Sequence, residues 1–317
     1  DKTEITADGI DQLEVMVTVR DANGNPVSGS TVVLEASGSG NGFTQPVGVT
    51  GSDGIATGYV RSTVAEEKVV RALINGVQAV DTLIVDFVAG PSSPSESEVI
   101  GDKTEITADG ADQLEVTVTV RDANGNPVSG STVVLEASGS GNSFTQPDPS
   151  GTDGVATGYV RSTVAEEKVV RAIIDGSQAV DTLIVDFVAG DVDYFIITQD
   201  GDATAGVTDY ATIEVRDDNN NTIENFNGTV SIYTNTAETE DRIAWSLGAA
   251  AGTIISESRD TVLYQFSPAD NGVAQLGITD TKAESIIISV SYGAVTSSAA
   301  TPLVVDHASA DSIFVVS

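Results

Sequence analysis

The chain of 317 residues contains no cysteine, a single histidine and a single tryptophan. The absence of cysteine excludes both a disulfide framework and a thiolate metal site. Because His307 is the only histidine, a histidine-based catalytic triad and a histidine-rich zinc site within a domain are also excluded. No glycine-rich phosphate loop precedes a helical segment. We therefore expect no enzyme activity, no catalytic role for His307 and no required cofactor.

Basic residues and long apolar runs are scarce as well. The sequence has 14 Lys and Arg against 47 Asp and Glu, which gives a formal net charge of −33. Nucleic-acid binding requires basic surface that neutralises phosphates, so we expect no nucleic-acid partner. No run of about 18 apolar residues is present, which excludes a membrane-spanning helix in this segment. The chain begins at Asp1 without an apolar leader, as expected of a processed export product.

The dominant feature of the sequence is an internal repeat. DKTEITADG begins at Asp1 and again at Asp102, and the match continues to VDFVAG, which ends at Gly90 and Gly190. A divergent third unit contains VRDDNNNTIENFNGTVSIYT from Val215, and the closing ADSIFVVS resembles DVDYFIIT, the opening of that unit. Self-similarity of this length predicts an array of similar domains, of which this chain is a piece. The predicted domains are repeat 1 at residues 1–90, a linker and first strand at 91–101, repeat 2 at 102–190, a divergent domain at 191–306 with an insertion at 235–262, and the start of a fourth domain at 307–317.

The periodicity within each repeat is that of β-strands. In QLEVTVTVR, the side chains of Leu114, Val116, Val118 and Val120 share one face of the predicted strand. STVVLEA, VATGYVRST, EKVVRAII and QAVDTLIVDFV are further predicted strands, separated by clusters of Gly, Asn, Asp and Pro. SEVIG, ahead of Asp102, is a candidate first strand. No segment has a helical period, so we predict an all-β fold of antiparallel sandwiches of immunoglobulin type.

These motifs resemble the group 1 bacterial Ig-like domain. The resemblance rests on ITADGADQLEVTVTVRDANGNPVSGSTVVLEAS, TDGVATGYVRST and KVVRAIIDGSQAVDTLIVDF, in that order. This family occurs in tandem in invasin and intimin-type surface proteins. The resemblance therefore implies an elongated rod of Ig-like domains outside a bacterial cell, without catalysis of its own. The third unit is similar to a divergent bacterial Ig-like domain, with DDNNN in place of DANGN.

The loop DANGNP has two interpretations. Asn-Gly favours a tight turn between strands. Alternatively, Asp122, Asn124 and Asn126 alternate as oxygen donors of the kind that calcium prefers, at the end of the domain that faces its predecessor. A calcium ion at such a junction would join two domains and stiffen the rod, whereas acids that only solvate the surface are the competing explanation. The candidate calcium ligands are Asp122, Asn124, Asn126, Asp102 and Glu98 at the first junction, and Asp186, Asp191, Asp193, Asp217, Asp218, Asn219 and Asn221 at the second.

Trp245 stands in the predicted insertion, within EDRIAWSLGAAAG. An exposed aromatic side chain on a loop is a common platform for a sugar or a protein partner. The alternative is that the insertion folds back and buries the ring. Trp245 is therefore the candidate ligand-binding residue of the sequence.

The leading functional hypothesis is a structural stalk or adhesin segment of a bacterial extracellular or cell-surface protein, which spaces and presents a distal element. One alternative is a subunit of an extracellular filament or surface layer. Another is a carbohydrate-binding accessory module of a larger secreted protein. The expected partner is a protein or glycan at a cell surface, or another copy of the chain.

Overall fold

The computed structural model describes residues 4–199, 201–236 and 242–310. These residues are organised in β-strands, and the one helical element among them is a short 3-10 turn, Pro268–Asp270. No helix of the described residues is long and apolar enough to cross a membrane. The all-β prediction is confirmed. Residues 237–241 of the predicted insertion and 311–317 of the predicted fourth domain lie outside the described residues.

The first domain consists of two sheets. One sheet has the strand order β1-β8-β6-β3, with β7 beside β6, and the other has the order β2-β5-β4. Its strands are β1 (Glu4–Thr6), β2 (Leu13–Thr18), β3 (Val32–Ala36), β4 (Asn41–Thr44), β5 (Ile55–Ser62), β6 (Glu67–Ile74), β7 (Val77–Gln78) and β8 (Leu83–Val88).

The second domain repeats this plan with one strand more in the second sheet. The sheets have the orders β10-β16-β15-β12 and β13-β14-β11-β9. Its strands are β9 (Glu98–Gly101), β10 (Glu105–Thr107), β11 (Leu114–Thr119), β12 (Val133–Ala137), β13 (Asn142–Thr145), β14 (Val155–Ser162), β15 (Glu166–Ile174) and β16 (Ser177–Val188).

The third domain has the sheets β17-β19-β24-β21, β18-β28-β25 and β22-β23-β20-β26-β27. Its strands are β17 (Tyr194–Thr198), β18 (Asp202–Thr204), β19 (Asp209–Arg216), β20 (Thr229–Thr234), β21 (Ile243–Leu247), β22 (Thr253–Ser258), β23 (Thr261–Gln265), β24 (Val273–Asp280), β25 (Ser285–Ile286), β26 (Ile288–Tyr292), β27 (Val295–Ser298) and β28 (Leu303–Asp306). By its pairing with β24, β21 corresponds to β13, and the hairpin β22–β23 adds two strands beside β20.

One feature of each domain departs from the antiparallel prediction. β1 pairs with β8, β10 with β16, and β18 with β28, all in parallel. In the second domain the cause is visible, because the opening segment changes sheets: β9 pairs antiparallel with β11, and β10 then joins the opposite sheet. The first and last strands of the domain therefore run in the same direction where they meet.

The core lies between the sheets and follows the alternation of the strands. In β14 every second residue is buried, and Val116 and Val118 of β11, the neighbouring strand of the same sheet, are fully buried, as is Val120 just beyond it. Burial of such apolar surface is the main stabilising contribution to a sandwich. A charged residue lies at the edge of this core: Lys168 is 0% exposed, and its Nζ donates to Ser140 O at 2.9 Å and to Glu166 Oε1 at 2.6 Å.

Candidate functional site at the domain junctions

The loop from Asp122 to Asn126 is a tight turn organised by its first side chain. Asp122 N donates to Asn126 O at 2.9 Å, and Gly125 N donates to Asp122 O at 3.0 Å. Asp122 Oδ1 accepts from the backbone N–H groups of Asn124 and Asn126, both at 2.9 Å. Gly125 has φ 83°, in the left-handed region that glycine adopts without steric cost. The turn predicted from Asn-Gly is therefore present.

The same loop binds the preceding domain through the two side chains at its ends. Asp122 Oδ2 accepts from Gly90 N at 2.9 Å. Asn126 Oδ1 accepts from Ala65 N at 2.9 Å, and Asn126 Nδ2 donates to Thr63 O at 3.1 Å and to Asp122 Oδ2 at 2.8 Å. Asp122 is 2% exposed and Asn126 is 7% exposed. We call this set of five residues the first latch. Its asparagine pairs with the peptide groups of the preceding domain much as a neighbouring strand would.

The third domain repeats the arrangement at the second junction. Asp217 Oδ2 accepts from Gly190 N at 2.9 Å. Asn221 Oδ1 accepts from Ala165 N at 2.9 Å, and Asn221 Nδ2 donates to Thr163 O at 3.0 Å. These five residues form the second latch, in which Asp217 is 0% exposed. The two latches have the same geometry even though the third domain differs widely in sequence from the second.

The middle of the second latch loop differs from that of the first. Asn220 replaces Gly125 and has φ 66°, a conformation that asparagine tolerates better than most residues. Asn124 Nδ2 of the first loop donates to Ala7 O of the preceding domain at 3.1 Å, whereas Asn219 Nδ2 donates to Asp218 Oδ1 at 2.8 Å. The first junction therefore has one side-chain hydrogen bond across the boundary that the second lacks among the described residues.

The first domain carries the same loop at its own N-terminal end, where it is exposed. Asp21 Oδ1 accepts from the backbone N–H groups of Asn23 and Asn25, both at 2.9 Å, and Asp21 Oδ2 accepts from Asn25 Nδ2 at 2.9 Å. The internal hydrogen bonds of the loop thus form without a neighbouring domain. The loop is preorganised, and only the bonds across a boundary depend on the junction.

The hydrogen bonds of the first latch favour an ionised carboxylate. Burial by itself raises the pKa of Asp122, but the hydrogen bonds from the Asn126 side chain and from the backbone of Gly90, Asn126 and Asn124 outweigh it and hold the pKa below its ordinary value. The pKa of the exposed Asp21 is also lowered, chiefly by the side chain and backbone of Asn25. The negative charge of the loop is therefore a stable part of its structure near neutral pH.

Comparison with known proteins decides the family. The family model described as bacterial Ig-like domain (group 1) matches residues 1–88 and 96–188, which together make up more than half of the chain. The chain belongs to this family. Bacterial Ig-like domains of this group are structural and adhesion modules, so the chain is not an enzyme, and they generally need no cofactor.

Individual relatives agree with this assignment. The inverse autotransporter adhesin YeeJ of Escherichia coli (strain K12) is 33% identical over 227 residues, which cover 69% of the chain and 9% of YeeJ. The chain thus spans a small part of this relative. The structure of the Escherichia coli adhesin FdeC is 21% identical with a TM-score of 0.54, covering 98% of the chain and 95% of FdeC. InvD of Yersinia pseudotuberculosis is 17% identical with a TM-score of 0.52, covering 96% and 95%. These two structures share the fold of the three domains.

In these bacterial Ig-like domains, the structure separates the predicted calcium ligands of the first junction. The carboxylate of Asp122 already accepts four hydrogen bonds from the protein, two at each oxygen. Asp102 lies at the other end of the domain, where its Oδ1 accepts from Glu115 N at 2.9 Å. Since Glu115 precedes Asp122 by seven residues of extended chain, about 23 Å separates these positions, and Asp102 is not a junction residue. Glu98 is exposed on β9, opposite Thr119.

At the second junction the predicted ligands fall into three places. Asp217, Asn219 and Asn221 belong to the latch loop, and the carboxylate of Asp217 accepts four hydrogen bonds as Asp122 does. Asp191, Asp193 and Asp218 line one polar cleft between the domains, together with Asp109, whereas Asp186 lines another with Glu105, Glu167 and Glu224. Among the described residues, no group of three or more His, Cys, Asp and Glu has the arrangement to hold a metal ion.

Trp245 does not form the exposed platform that was one of the two interpretations of the sequence. The side chain is 5% exposed and belongs to the hydrophobic core of the third domain. Trp245 lies on β21, opposite Ile278 of β24. Buried and exposed residues alternate at this part of the strand, and the side chain of Trp245 points into the sandwich. The competing interpretation, in which this segment folds back and buries the ring, describes the structure.

The backbone partners of the latches were not predicted from the sequence. Thr63, Ala65 and Gly90 contribute peptide groups, and nothing in their side chains indicates binding. The available signal was the spacing of an aspartate and an asparagine four residues apart, which recurs in all three loops. In the third domain this pair persists while the residues around it change from DANGN to DDNNN.

Proposed function

We propose that the chain is a structural stalk segment of a bacterial cell-surface adhesin and holds a distal element away from the cell. The observation that carries the proposal is the latch, which joins successive domains at both junctions through the same residue types. Family membership and the similarity to an inverse autotransporter adhesin support a place outside the cell. The binding partner of the whole adhesin would then be engaged by another part of the protein.

The latch suits a stalk because it fixes the orientation of one domain relative to the next as well as holding the two in contact. Side chains of the following domain bind backbone groups of the preceding one, and backbone groups move less than side chains on a packed sheet. Four such bonds at separate points of the first junction, and three at the second, restrict both bending and twisting. The longest strand, β16, has 12 residues and a rise of about 40 Å. Three domains placed end to end therefore extend on the order of 100 Å.

Small-angle scattering and electron microscopy of the 317-residue chain test this proposal. We expect particles of extended outline with a radius of gyration on the order of 30 Å, as for a rod of three sandwich lengths. A compact globule of this chain length would have a radius of gyration of about 20 Å. Deletion of residues 91–190, which include β9, should shorten the particle by one domain and leave its cross-section unchanged. A radius of gyration near the value for a compact globule would contradict the stalk proposal.

The alternatives have distinct outcomes. A mass that rises with protein concentration in light scattering would favour a filament or surface-layer subunit. Specific binding on a glycan array would favour a carbohydrate-binding module, for which the buried Trp245 gives no support. For exposure outside the cell, an antibody against an epitope inserted at the exposed loop residue Val47 should label intact bacteria that produce the full-length adhesin.

Calcium at the second junction is a separate part of the proposal. The acids that line one cleft there, Asp109, Asp191, Asp193 and Asp218, come from both domains and repel one another when ionised. The four acids are not arranged as a metal cage in this structure, so a divalent cation would act by drawing them together, which would reduce that repulsion and add a connection beside the latch. The metal is not required for the latch itself, whose bonds are formed by protein groups alone.

A further inference from the structure

The segment that receives the second latch is not part of a strand. Residues 163–165 connect β14 to β15, so the pairing of those strands does not fix their conformation. Asn221 nevertheless binds two peptide groups of this segment at once, Thr163 O at 3.0 Å and Ala165 N at 2.9 Å. Hydrogen bonds weaken steeply when donor and acceptor are misaligned. The latch therefore depends on the groups that hold this segment in one conformation.

A ring of three polar groups adjoins the segment. Glu166, the residue that follows the segment, accepts at Oε1 from Lys168 Nζ at 2.6 Å and from Ser140 N at 2.9 Å. Lys168 Nζ closes the ring by donating to Ser140 O at 2.9 Å. On the other side of the segment, Ser162 Oγ donates to Ser140 O at 3.3 Å and accepts from Val164 N at 3.0 Å. Both ends of the segment are thus tied to Ser140.

The first domain contains the same ring. Lys68 Nζ donates to Ser39 O at 2.7 Å and to Glu66 Oε1 at 2.6 Å, and Ser39 N donates to Glu66 Oε1 at 2.9 Å. Both ring lysines are 0% exposed. We call each ring a clamp: the first clamp is Lys68, Glu66 and Ser39, and the second clamp is Lys168, Glu166 and Ser140. Each clamp lies in the domain that receives the latch of the same number.

The third domain keeps the glutamate of the clamp but takes the cation from another part of the chain. Its matching sequence is DTKAESI, where the second domain has STVAEEK. The glutamate is present as Glu284, and Ile286, which is 0% exposed, stands in place of the lysine. Arg242, just ahead of β21, donates from Nη2 to Glu284 Oε1 at 2.7 Å. The fold therefore accepts an apolar residue at the lysine position, and the feature that all three domains share is a cation paired with this glutamate.

Stability alone is a weak reason for a buried lysine. Taking its charge out of water costs free energy, and well-packed apolar residues in place of a buried ion pair are often neutral or stabilising. The pair is ionic near neutral pH, because the hydrogen bond from Lys168, followed by that from Ser140 N, lowers the pKa of Glu166. Charge-assisted hydrogen bonds of this kind are short and strong. They fix the position of Glu166 and of the backbone beside it.

We propose that Lys68 and Lys168 are positioning residues of the latches: each holds the receiving segment of its domain, through its clamp, in the conformation that the asparagine of the next domain binds. The inference rests on the proposed stalk function, since it concerns how the latches of that stalk are kept rigid. The flexibility of each junction is then set inside the preceding domain, by a lysine whose hydrogen bonds within the described residues all stay in that domain.

Amide hydrogen exchange, measured by NMR on the 317-residue chain, tests the proposal with Ala65 N and Ala165 N as reporters of the two latches. Lys168→Met keeps an unbranched side chain in the buried position and removes its charge. We expect exchange at Ala165 N to accelerate about two- to tenfold, the effect of one weakened hydrogen bond, while exchange at Ala65 N keeps the parent rate. Lys68→Met should give the opposite pattern, so each junction is the control for the other. Asn221→Ala, which removes the acceptor of Ala165 N, sets the upper limit of the effect.

Amides in the cores of β14 and β15 separate positioning from general stabilisation. If the lysine only stabilised its domain, Lys168→Met would accelerate exchange at core amides such as Val160 N and Val170 N by the same factor as at Ala165 N. Under the proposal those core amides keep the parent rates. If Lys168→Met does not fold, the double variant Lys168→Met with Glu166→Gln removes both charges and leaves neither unpaired, and the same pattern is expected.

Three results would each overturn the proposal. One is parent-like exchange at Ala165 N in Lys168→Met when Asn221→Ala accelerates it, which leaves the latch intact and removes the lysine from it. Another is equal acceleration at Ala165 N and at the core amides of the domain. The third is parent-like exchange at Ala165 N in Asn221→Ala, which would also refute the latch and with it the proposed stalk mechanism.

Discussion

The chain supplies a matched pair of mutations that isolates the latch. Asn126→Ala removes the side chain that binds Ala65 N and Thr63 O of the preceding domain, together with its bond to Asp122 inside the loop. Asn25→Ala removes the same bond inside the exposed loop of the first domain and no described bond across a boundary. Both loops have the sequence DANGN. The difference between the two variants therefore measures the interdomain bonds alone.

The magnitude follows from two hydrogen bonds. Each contributes about 0.5–1.5 kcal/mol net, so the closed junction should lose about 1–3 kcal/mol relative to the Asn25→Ala control. A change of this size alters the ratio of open to closed junctions about 5- to 150-fold. Asn126→Ala also leaves Ala65 N without its acceptor in a partly buried position, which places the expected cost toward the upper part of that range.

The assay uses the absence of native cysteine. Spin labels attached at Val47→Cys and Asp148→Cys, two exposed loop positions in the first and second domains, report the distance between those domains by pulsed electron paramagnetic resonance. The parent and Asn25→Ala should give one narrow distance distribution, and Asn126→Ala a broad one. If Asn126→Ala and Asn25→Ala give equally narrow distributions, the latch does not orient the domains and the proposed stalk mechanism is refuted.

Three further predictions address charge and burial. The pKa of Asp122 is lowered in the folded protein, so its ionised carboxylate stabilises the junction fully above the unfolded pKa of about 3.9. That contribution is lost as the pH falls through the lower pKa of the folded state. The distance distribution should therefore broaden in this acidic range, and should broaden less in Asp122→Asn. Lys168→Ala should lower the free energy of unfolding of the second domain by about 2–5 kcal/mol, since it empties a fully buried position, whereas Lys103→Ala at the surface should cost less than about 1 kcal/mol in the same denaturant titration. Calcium should raise the melting temperature more than sodium chloride does at equal ionic strength, and the double variant Asp191→Asn with Asp193→Asn should lose this difference. Equal responses to both salts would mean that these acids act only as screened surface charge.

The strands were predictable because apolar and polar residues alternate along each one as its buried and exposed positions do. The alternation in QLEVTVTVR places Leu114, Val116 and Val118 on one face, and all three are fully buried on β11. β13 was not predicted, since NSFT is short and has a single large apolar residue. The parallel pairing of β10 with β16 was also missed. It depends on a change of sheet between β9 and β10, and no local preference encodes which sheet a strand joins.

Lys168 shows a limit of reading periodicity alone. In EKVVRAII the lysine occupies an inward position, and a charged residue there argues against a buried face. The structure resolves the conflict through partners that are distant in sequence: Ser140 O accepts from Nζ, Glu166 neutralises it, and the ring of Phe187 lies 5.6 Å from it. A buried charge is tolerated when it is paired and hydrogen-bonded. Only the fold brings these groups together.

The latch was partly visible in the sequence, but its chemistry was not. Aspartate and asparagine at a junction are suitable both as cation ligands and as partners for peptide groups, because the same oxygen lone pairs serve either role. What decides between them is how many donors the protein itself supplies. Asp122 and Asp217 each accept four hydrogen bonds from the protein. Two come from backbone N–H groups of the loop, one from the asparagine side chain of the loop, and one from a glycine N–H of the neighbouring domain. A carboxylate so fully engaged gains little from a cation that would have to displace those donors. Asp191 and Asp193, which are exposed in the cleft beside the second latch, are therefore the carboxylates of the described residues on which we expect added calcium to act.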